Sequence, residues 1–184
     1  MLDKEEIIQL AEKYDNEEDQ WNTELEGNLG NKLRTTKELT KEDLIQIIEW
    51  KFVTNPHRKK RTLNLIKDVS DSRIRKVSNT AFNTKDEILK IKSLMGAYGG
   101  IKGVGLALAS TILTFYDPKN YYVFDIHLFD ELFETNSKTR PNLQDAKYYA
   151  IILDKLRKIA NDYRLDVRII EKALFKKNLD RSKD

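Results

Sequence analysis

The sequence of 184 residues has no cysteine, only three prolines and only two histidines. Without cysteine the chain forms no disulfides, thiolate metal sites or cysteine-held iron–sulfur clusters. The histidines, His57 and His127, are too far apart in sequence to suggest a side-chain metal site. No apolar run reaches the length of a membrane span, and the acidic N-terminal segment does not have the pattern of a signal peptide. We therefore expect a soluble, cytoplasmic protein with no membrane partner and no required cofactor.

Basic residues are scarce in the first part of the chain and acidic residues are scarce in the middle, although the net charge is only +3. Residues 1–50 carry a net charge of −8, whereas residues 51–120 carry +9. A basic segment beside an acidic one is typical of a surface that binds a polyanion such as nucleic acid. Such runs also occur on ordinary solvated helix faces, so charge alone leaves both interpretations open. The basic run HRKKR (57–61) contains Arg58, Lys59, Lys60 and Arg61.

Hydrophobic residues recur at helical spacing along most of the chain, and no run of alternating strands is present. This pattern predicts an all-α fold, a compact bundle of about eight to ten helices. We expect a single helical domain over residues 1–184, in which residues 1–39 are a candidate peripheral acidic lobe. Segment 26–31, EGNLGN, is rich in turn-forming residues and is predicted to be a loop. Asp125 lies where the N-cap of the predicted helix 126–133 belongs.

Glycine is also scarce, yet four of the seven glycines fall between residues 99 and 105. Gly99 and Gly100 can end one helix and Gly103 and Gly105 can open the next, because glycine tolerates the positive φ of tight turns. The unpaired N–H groups and dipole at the start of that next helix, predicted over 106–116, form a seat for an anion such as phosphate. The alternative is an ordinary tight connection between two helices.

The wider segment LMGAYGGIKGVGLALASTILTFYDPKNYYVFDIHLFDELF (94–133) resembles the helix-hairpin-helix element of the DNA glycosylase superfamily, in its endonuclease III-like form. The later element of the resemblance, Val-Phe-Asp-Ile-His at 123–127, places Asp125 20 residues beyond the last hairpin glycine. Residues 88–133 would hold the helix-hairpin-helix and the Asp-capped helix. The hairpin itself comprises Ile101, Lys102, Gly103, Val104 and Gly105.

The resemblance implies that the protein binds the phosphate backbone of duplex DNA through the hairpin residues 101–105. The charge of the basic run 58–61 could add further phosphate contacts. Asp125 would be catalytic, because a carboxylate stabilises the positive charge that develops on a sugar as its N-glycosidic bond breaks. His127 would support the site rather than act as a base. Bifunctional members carry a lysine where this chain has Ala107. The implied activity is therefore monofunctional release of a damaged base in base-excision repair, with no lyase activity.

Further properties follow from the resemblance. The main-chain oxygens of Ile101, Gly103 and Gly105 would hold a monovalent cation that bridges to phosphate, and there would be no iron–sulfur cluster. We expect a monomer. Aromatic side chains near the basic run or the hairpin could form the walls of a base pocket, although large aromatics also supply much of the core of a small domain. These candidates are Trp50, Phe52 and Tyr98.

Two other hypotheses stay open. The protein could be a non-catalytic helix-hairpin-helix module that binds nucleic acid, or an all-helical interaction protein whose Gly-Val-Gly turn is only a turn. Asp125 could likewise be only a cap, since aspartate is a preferred N-cap residue and contributes about 1 kcal/mol to its helix.

Overall fold

The computed structural model describes residues 2–17, 20–136, 138–141, 143 and 145–181, without the side chains of residues 20 and 21. Over these residues it contains ten α-helices, one short 3-10 helix (Gly96–Tyr98) and no strand, which confirms the predicted all-α fold. The helices are α1 (Lys4–Glu17), α2 (Gln20–Thr36), α3 (Lys41–Lys51), α4 (Pro56–Ile66), α5 (Asp71–Asn83), α6 (Glu87–Leu94), α7 (Leu106–Tyr116), α8 (Ile126–Phe133), α9 (Ala146–Tyr163) and α10 (Val167–Arg181).

Local capping signals set several of the helix starts. A capping box opens α3, in which the Thr40 hydroxyl accepts from the Asp43 N–H and the Asp43 carboxylate accepts from the Thr40 N–H. Asn55 caps α4, with Pro56 at the first helical position. Asp125 caps α8, as predicted, and its Oδ1 accepts from the His127 N–H at 3.0 Å. The cap therefore fixes where the Asp125 carboxylate lies relative to its helix.

The predicted loop at 26–31 is wrong, because these residues lie inside α2. Leu29 and Leu33 are buried on the face of α2 that packs against α7. Gly30 allows the two helices to approach closely, since an added Cβ would lie 2.7 Å from the Phe115 carbonyl oxygen. Tertiary packing thus overrides the turn propensity of this segment.

The acidic N-terminal helices pack against the basic C-terminal helix. Ile7 and Ala11 on α1 are buried, and α1 packs along α10. Carboxylates of α1 and α2 also pair with cations of α10, including Asp15 with Lys172 at 2.6 Å. Three carboxylates near the N-terminus therefore pair with α10, namely Asp15, Glu17 and Glu26.

Candidate functional site

The glycine-rich turn joins α6 to α7 through a compact set of backbone hydrogen bonds. The Gly96 N–H donates to the Val104 carbonyl at 2.9 Å, and the Val104 N–H donates to the Ile101 carbonyl at 3.0 Å. Gly99 ends the 3-10 helix with a φ of +83°, a conformation that favours glycine. Ile101 and Val104 are buried and anchor the turn in the core. The turn is therefore held at both of its apolar residues.

Two glycines of the turn are required for different reasons. Gly103 has a φ of +87°, and an added Cβ would lie 2.9 Å from the Leu65 Cβ on α4. Packing against α4 therefore demands glycine at position 103. Gly105 has an ordinary φ of −100°, and an added Cβ would meet no atom within 4 Å. The fold itself does not require glycine at position 105, which leaves open space at the start of α7.

A cleft of about 410 Å³ lies beside the turn, where α4 faces the first residues of α7 and α8. We call it the main cleft. Gly105 is the N-cap of α7 and supplies no side-chain hydrogen bond, so the first N–H groups of this helix lack a capping partner. The cleft combines these N–H groups with cationic side chains and one carboxylate. The residues that line the cleft include Lys51, Arg58, Arg61, Gly103, Gly105 and Asp125.

The basic run lies on α4, and the structure brings only part of it to the main cleft. Arg58 and Arg61 line the cleft, and the Arg58 guanidinium lies 5.7 Å from the Phe52 ring centre. Lys60 instead lines a shallow depression on the outer side of α4. Lys59 and Lys102 line neither cleft. None of these five cations forms an ion pair with another residue in the described part of the chain.

Asp125 is held at the edge of the main cleft by the segment before it. Residues 121–124 are buried without regular secondary structure, and the Phe124 N–H donates to Ser110 Oγ on α7 at 2.9 Å. The Asp125 side chain keeps 27% of its surface exposed. Its Oδ2 lies 3.4 Å from Lys51 Nζ, while Oδ1 accepts the capping bond. The carboxylate is therefore fixed and still accessible.

Sequence reasoning did not identify Lys51. Its side chain is only 12% exposed, and it is the lysine that lies in contact with Asp125. The two residues are 74 positions apart, and Lys51 is simply the last residue of an amphipathic helix. No local signal could have indicated this contact.

His127 lines the main cleft and is half-buried. Its Nδ1 lies 3.0 Å from Asn178 Oδ1, and its ring packs edge-on against Phe175 with centres 5.7 Å apart. These contacts with α10 orient the ring.

A second, smaller cleft of about 170 Å³ lies on the other side of Asp125, and we call it the side cleft. It shares Lys51 and Asp125 with the main cleft. Its walls combine the rings of Tyr14, Trp50 and Phe175 with an equal number of polar and apolar lining residues overall. The Asp125–Lys51 pair therefore separates a cationic cleft from an aromatic one.

The inner part of the side cleft carries the buried ion pair of Arg168 and Glu171. Arg168 also binds Glu26, with Nη2 2.7 Å from Oε1. Burial opposes the charge of Arg168, but Glu171 and Glu26 hold its pKa well above the usual range. Burial raises the pKa of Glu171, against the opposing pull of Arg168. In Glu26 burial is outweighed by Arg168 and Lys172, so its pKa is lowered.

The three aromatic residues predicted to form a base pocket lie in different places. Trp50 lines the side cleft and Phe52 lines the main cleft, and both belong mainly to the core with exposed fractions of 7% and 8%. Tyr98 is half exposed and lines neither cleft, and Lys92 Nζ lies 5.1 Å from its ring centre. The sequence did not indicate that Tyr14 and Phe175 complete the aromatic wall, because they lie on helices at opposite ends of the chain.

Over the residues described, no cluster of three or more His, Cys, Asp or Glu side chains could hold a metal ion. In the same part of the chain, no helix is both long enough and apolar enough to cross a membrane. No protein-family model, curated protein or solved structure matches the chain.

Proposed function

We propose that the protein binds duplex DNA and hydrolyses the N-glycosidic bond of an altered base, as a monofunctional glycosylase of the helix-hairpin-helix type. One observation carries the proposal. The Asp125 carboxylate lies between a cationic cleft suited to a phosphate backbone and an aromatic cleft suited to a flat ring. The bond between sugar and base would lie at that boundary once a nucleotide is flipped out of the duplex.

The main cleft would hold the DNA backbone. Phosphate binds readily at helix N-termini, where unpaired N–H groups and the helix dipole favour an anion. The open space at Gly105 lets a phosphate oxygen approach the first N–H groups of α7. Arg58 and Arg61 add positive charge without a competing carboxylate partner among the described residues. Binding of this kind reads no sequence and weakens steeply with salt.

Asp125 would act on the sugar. As the bond between C1′ and the base nitrogen breaks, its electron pair leaves with the base and positive charge develops on the sugar. The carboxylate stabilises that charge and orients a water molecule, whose oxygen bonds to C1′. The proton released by that water balances the negative charge on the departing base. Lys51 keeps the carboxylate in place through its contact with Oδ2.

A monovalent cation at the turn would add to phosphate binding. The Ile101 carbonyl accepts from Val104 and the Gly105 carbonyl accepts from Ala109, at 3.0 and 2.9 Å. A carbonyl oxygen has two lone pairs, so each retains capacity for a cation, as does the Gly103 carbonyl. The remaining lone pairs of these groups would bind such an ion, which would supply positive charge to a DNA phosphate.

A specific observation favours the alternative of a non-catalytic nucleic-acid-binding module. Both Asp125 oxygens already have partners, the His127 N–H on Oδ1 and Lys51 on Oδ2. A carboxylate used fully as a cap and ion-pair partner would leave the protein a DNA-binding domain. The experiment below separates these functions.

The test uses duplexes that each carry one uracil, hypoxanthine, alkylated or oxidised base. After incubation, freed base is measured directly and abasic sites are revealed by strand breakage in alkali. Wild-type protein should release at least one of these bases, with breakage only after alkali. Asp125→Asn should lower the rate by 100-fold or more while keeping duplex affinity, a loss typical of removing one electrostatic stabiliser. Full activity in this variant contradicts the catalytic role, and salt-dependent binding without base release supports the module.

A further inference from the structure

We propose that the Arg168–Glu171 pair in the side cleft selects bases whose edge presents an N–H beside a carbonyl, as in uracil or hypoxanthine. This inference deepens the proposed function and rests on it. A buried donor, Arg168, and a buried acceptor, Glu171, lie side by side in a cleft that has aromatic walls. The same cleft is lined by Asp125, the carboxylate proposed to act on the glycosidic bond.

The size and walls of the side cleft suit a single heterocyclic ring system. Its volume of about 170 Å³ is well below the 410 Å³ of the main cleft. The base would enter the side cleft, and its sugar and phosphate would remain in the main cleft. Tyr14, Trp50 and Phe175 supply aromatic surface, and the Arg168 guanidinium lies 5.6 Å from the ring centres of Tyr14 and Trp50. Stacking of a base on an aromatic side chain contributes about 1–3 kcal/mol.

The ion pair retains unused hydrogen-bonding capacity. Arg168 has five N–H donors, and its bonds to Glu26 and Glu171 use three of them. Glu171 receives Arg168 and the Val123 N–H on Oε2, while its Oε1 makes no hydrogen bond to the described residues. An N–H of the base can therefore donate to Glu171 while the adjacent carbonyl accepts from Arg168.

The fold alone gives little reason to bury these charges in a cleft. A buried ion pair stabilises a protein little compared with apolar residues of similar size, because desolvation offsets the attraction. Here Arg168 and Glu171 are 4% and 3% exposed, and both line the side cleft rather than the sealed core. A site built to bond a polar edge rejects analogues that lack it, since its buried groups would then stay unpaired.

The experiment compares uracil with N3-methyluracil, each placed opposite guanine in the same duplex. Methylation removes the N–H and leaves the carbonyls. N3-methyluracil pairs poorly and leaves the stack more easily, so a preference for uracil cannot arise from extrusion. Wild-type protein should release uracil at least tenfold faster. Equal or faster release of N3-methyluracil would overturn the inference.

Two matched variants locate the selection. Glu171→Gln removes the acceptor charge in the cleft, and Glu26→Gln removes a charge that binds the same arginine outside it. The ratio of the release rate of uracil to that of N3-methyluracil should fall toward 1 in Glu171→Gln and stay unchanged in Glu26→Gln. If both variants change the ratio equally, selection by Glu171 is contradicted.

A binding measurement keeps the two proposals distinguishable. Asp125→Asn protein, which should not release bases, is titrated with the same two duplexes. At least tenfold tighter binding of the uracil duplex supports the inference even if wild-type protein releases no base, in which case only the hydrolytic function fails. Equal affinity for both duplexes overturns the inference whatever the wild-type activity.

Discussion

Two cationic helices of this protein use their charge in opposite ways. Helix α10 carries five cations, and each forms an ion pair with a carboxylate of α1, α2, α8 or α10 itself: Arg168, Lys172, Lys176, Lys177 and Arg181. Helix α4 carries Arg58, Lys59, Lys60 and Arg61, and none of them pairs with a carboxylate in the described part of the chain. Charge that is neutralised within the fold is not available to an outside phosphate, whereas charge left unpaired beside a cleft is suited to one.

The largest expected effect is on stability, at α10. Arg168→Ala removes the partner of two carboxylates, one of them buried, and should lower the free energy of unfolding by about 3–5 kcal/mol. The matched change Arg61→Ala on α4 should alter it by no more than about 0.5 kcal/mol, because Arg61 is exposed and has no ion-pair partner among the described residues. Urea denaturation measures both values. Similar losses in the two variants would remove the distinction between the helices.

The next largest effect is on DNA affinity, where the substitution on α4 should matter more than the substitution on α10. Arg61→Gln should weaken duplex binding by a factor of about 3–10 and reduce the slope of log affinity against log salt by about 1. Lys177→Gln on α10 removes the same charge, but this lysine is paired with Glu131 at 3.0 Å, so affinity should hardly change. Fluorescence anisotropy at several salt concentrations provides the comparison. Equal weakening by both variants would indicate a general response to net charge.

The smallest expected effect concerns the pKa of one carboxylate on α10, Asp180. Hydrogen bonds from Lys13 and Lys176 lower the pKa of Asp180 to about 2, below the value of about 3.9 for an unfolded chain. The stabilisation from these contacts is therefore present in full above about pH 4 and is lost as the pH falls through 2. Carboxyl NMR should give this pKa, and Lys13→Ala should raise it. A wild-type pKa near 4 contradicts the pairing.

The parts of the fold set by local chemistry could be predicted from sequence. The start and end of α7 and the cap at Asp125 depend on neighbouring residues, and both predictions are confirmed. The α2 segment was mistaken for a loop because Gly30 is selected by its contact with α7, a partner that is distant in sequence. Local sequence patterns do not reveal contacts between residues that are distant in sequence.

In the candidate site, too, some residues could be predicted from local sequence and others could not. Asp125 and the turn glycines are recognisable from their spacing, and the structure places them along one cleft. Lys51, Arg168 and Glu171 carry no local signal, because each acts through residues far away in the sequence. Tyr98 lies near the turn in sequence but lines neither cleft, which shows that closeness along the chain did not predict this part of the site.

The duplex affinity of Gly105→Ala tests whether the main cleft binds the DNA backbone. An added Cβ at position 105 meets no atom, so this variant should lose no more than about 1 kcal/mol, the usual cost of alanine at an N-cap. Gly103→Ala, which strains a φ of +87° and crowds Leu65, should lose more stability. We predict that Gly105→Ala stays folded under the conditions of the assay and binds duplex at least tenfold more weakly. Wild-type affinity in this variant would contradict the account.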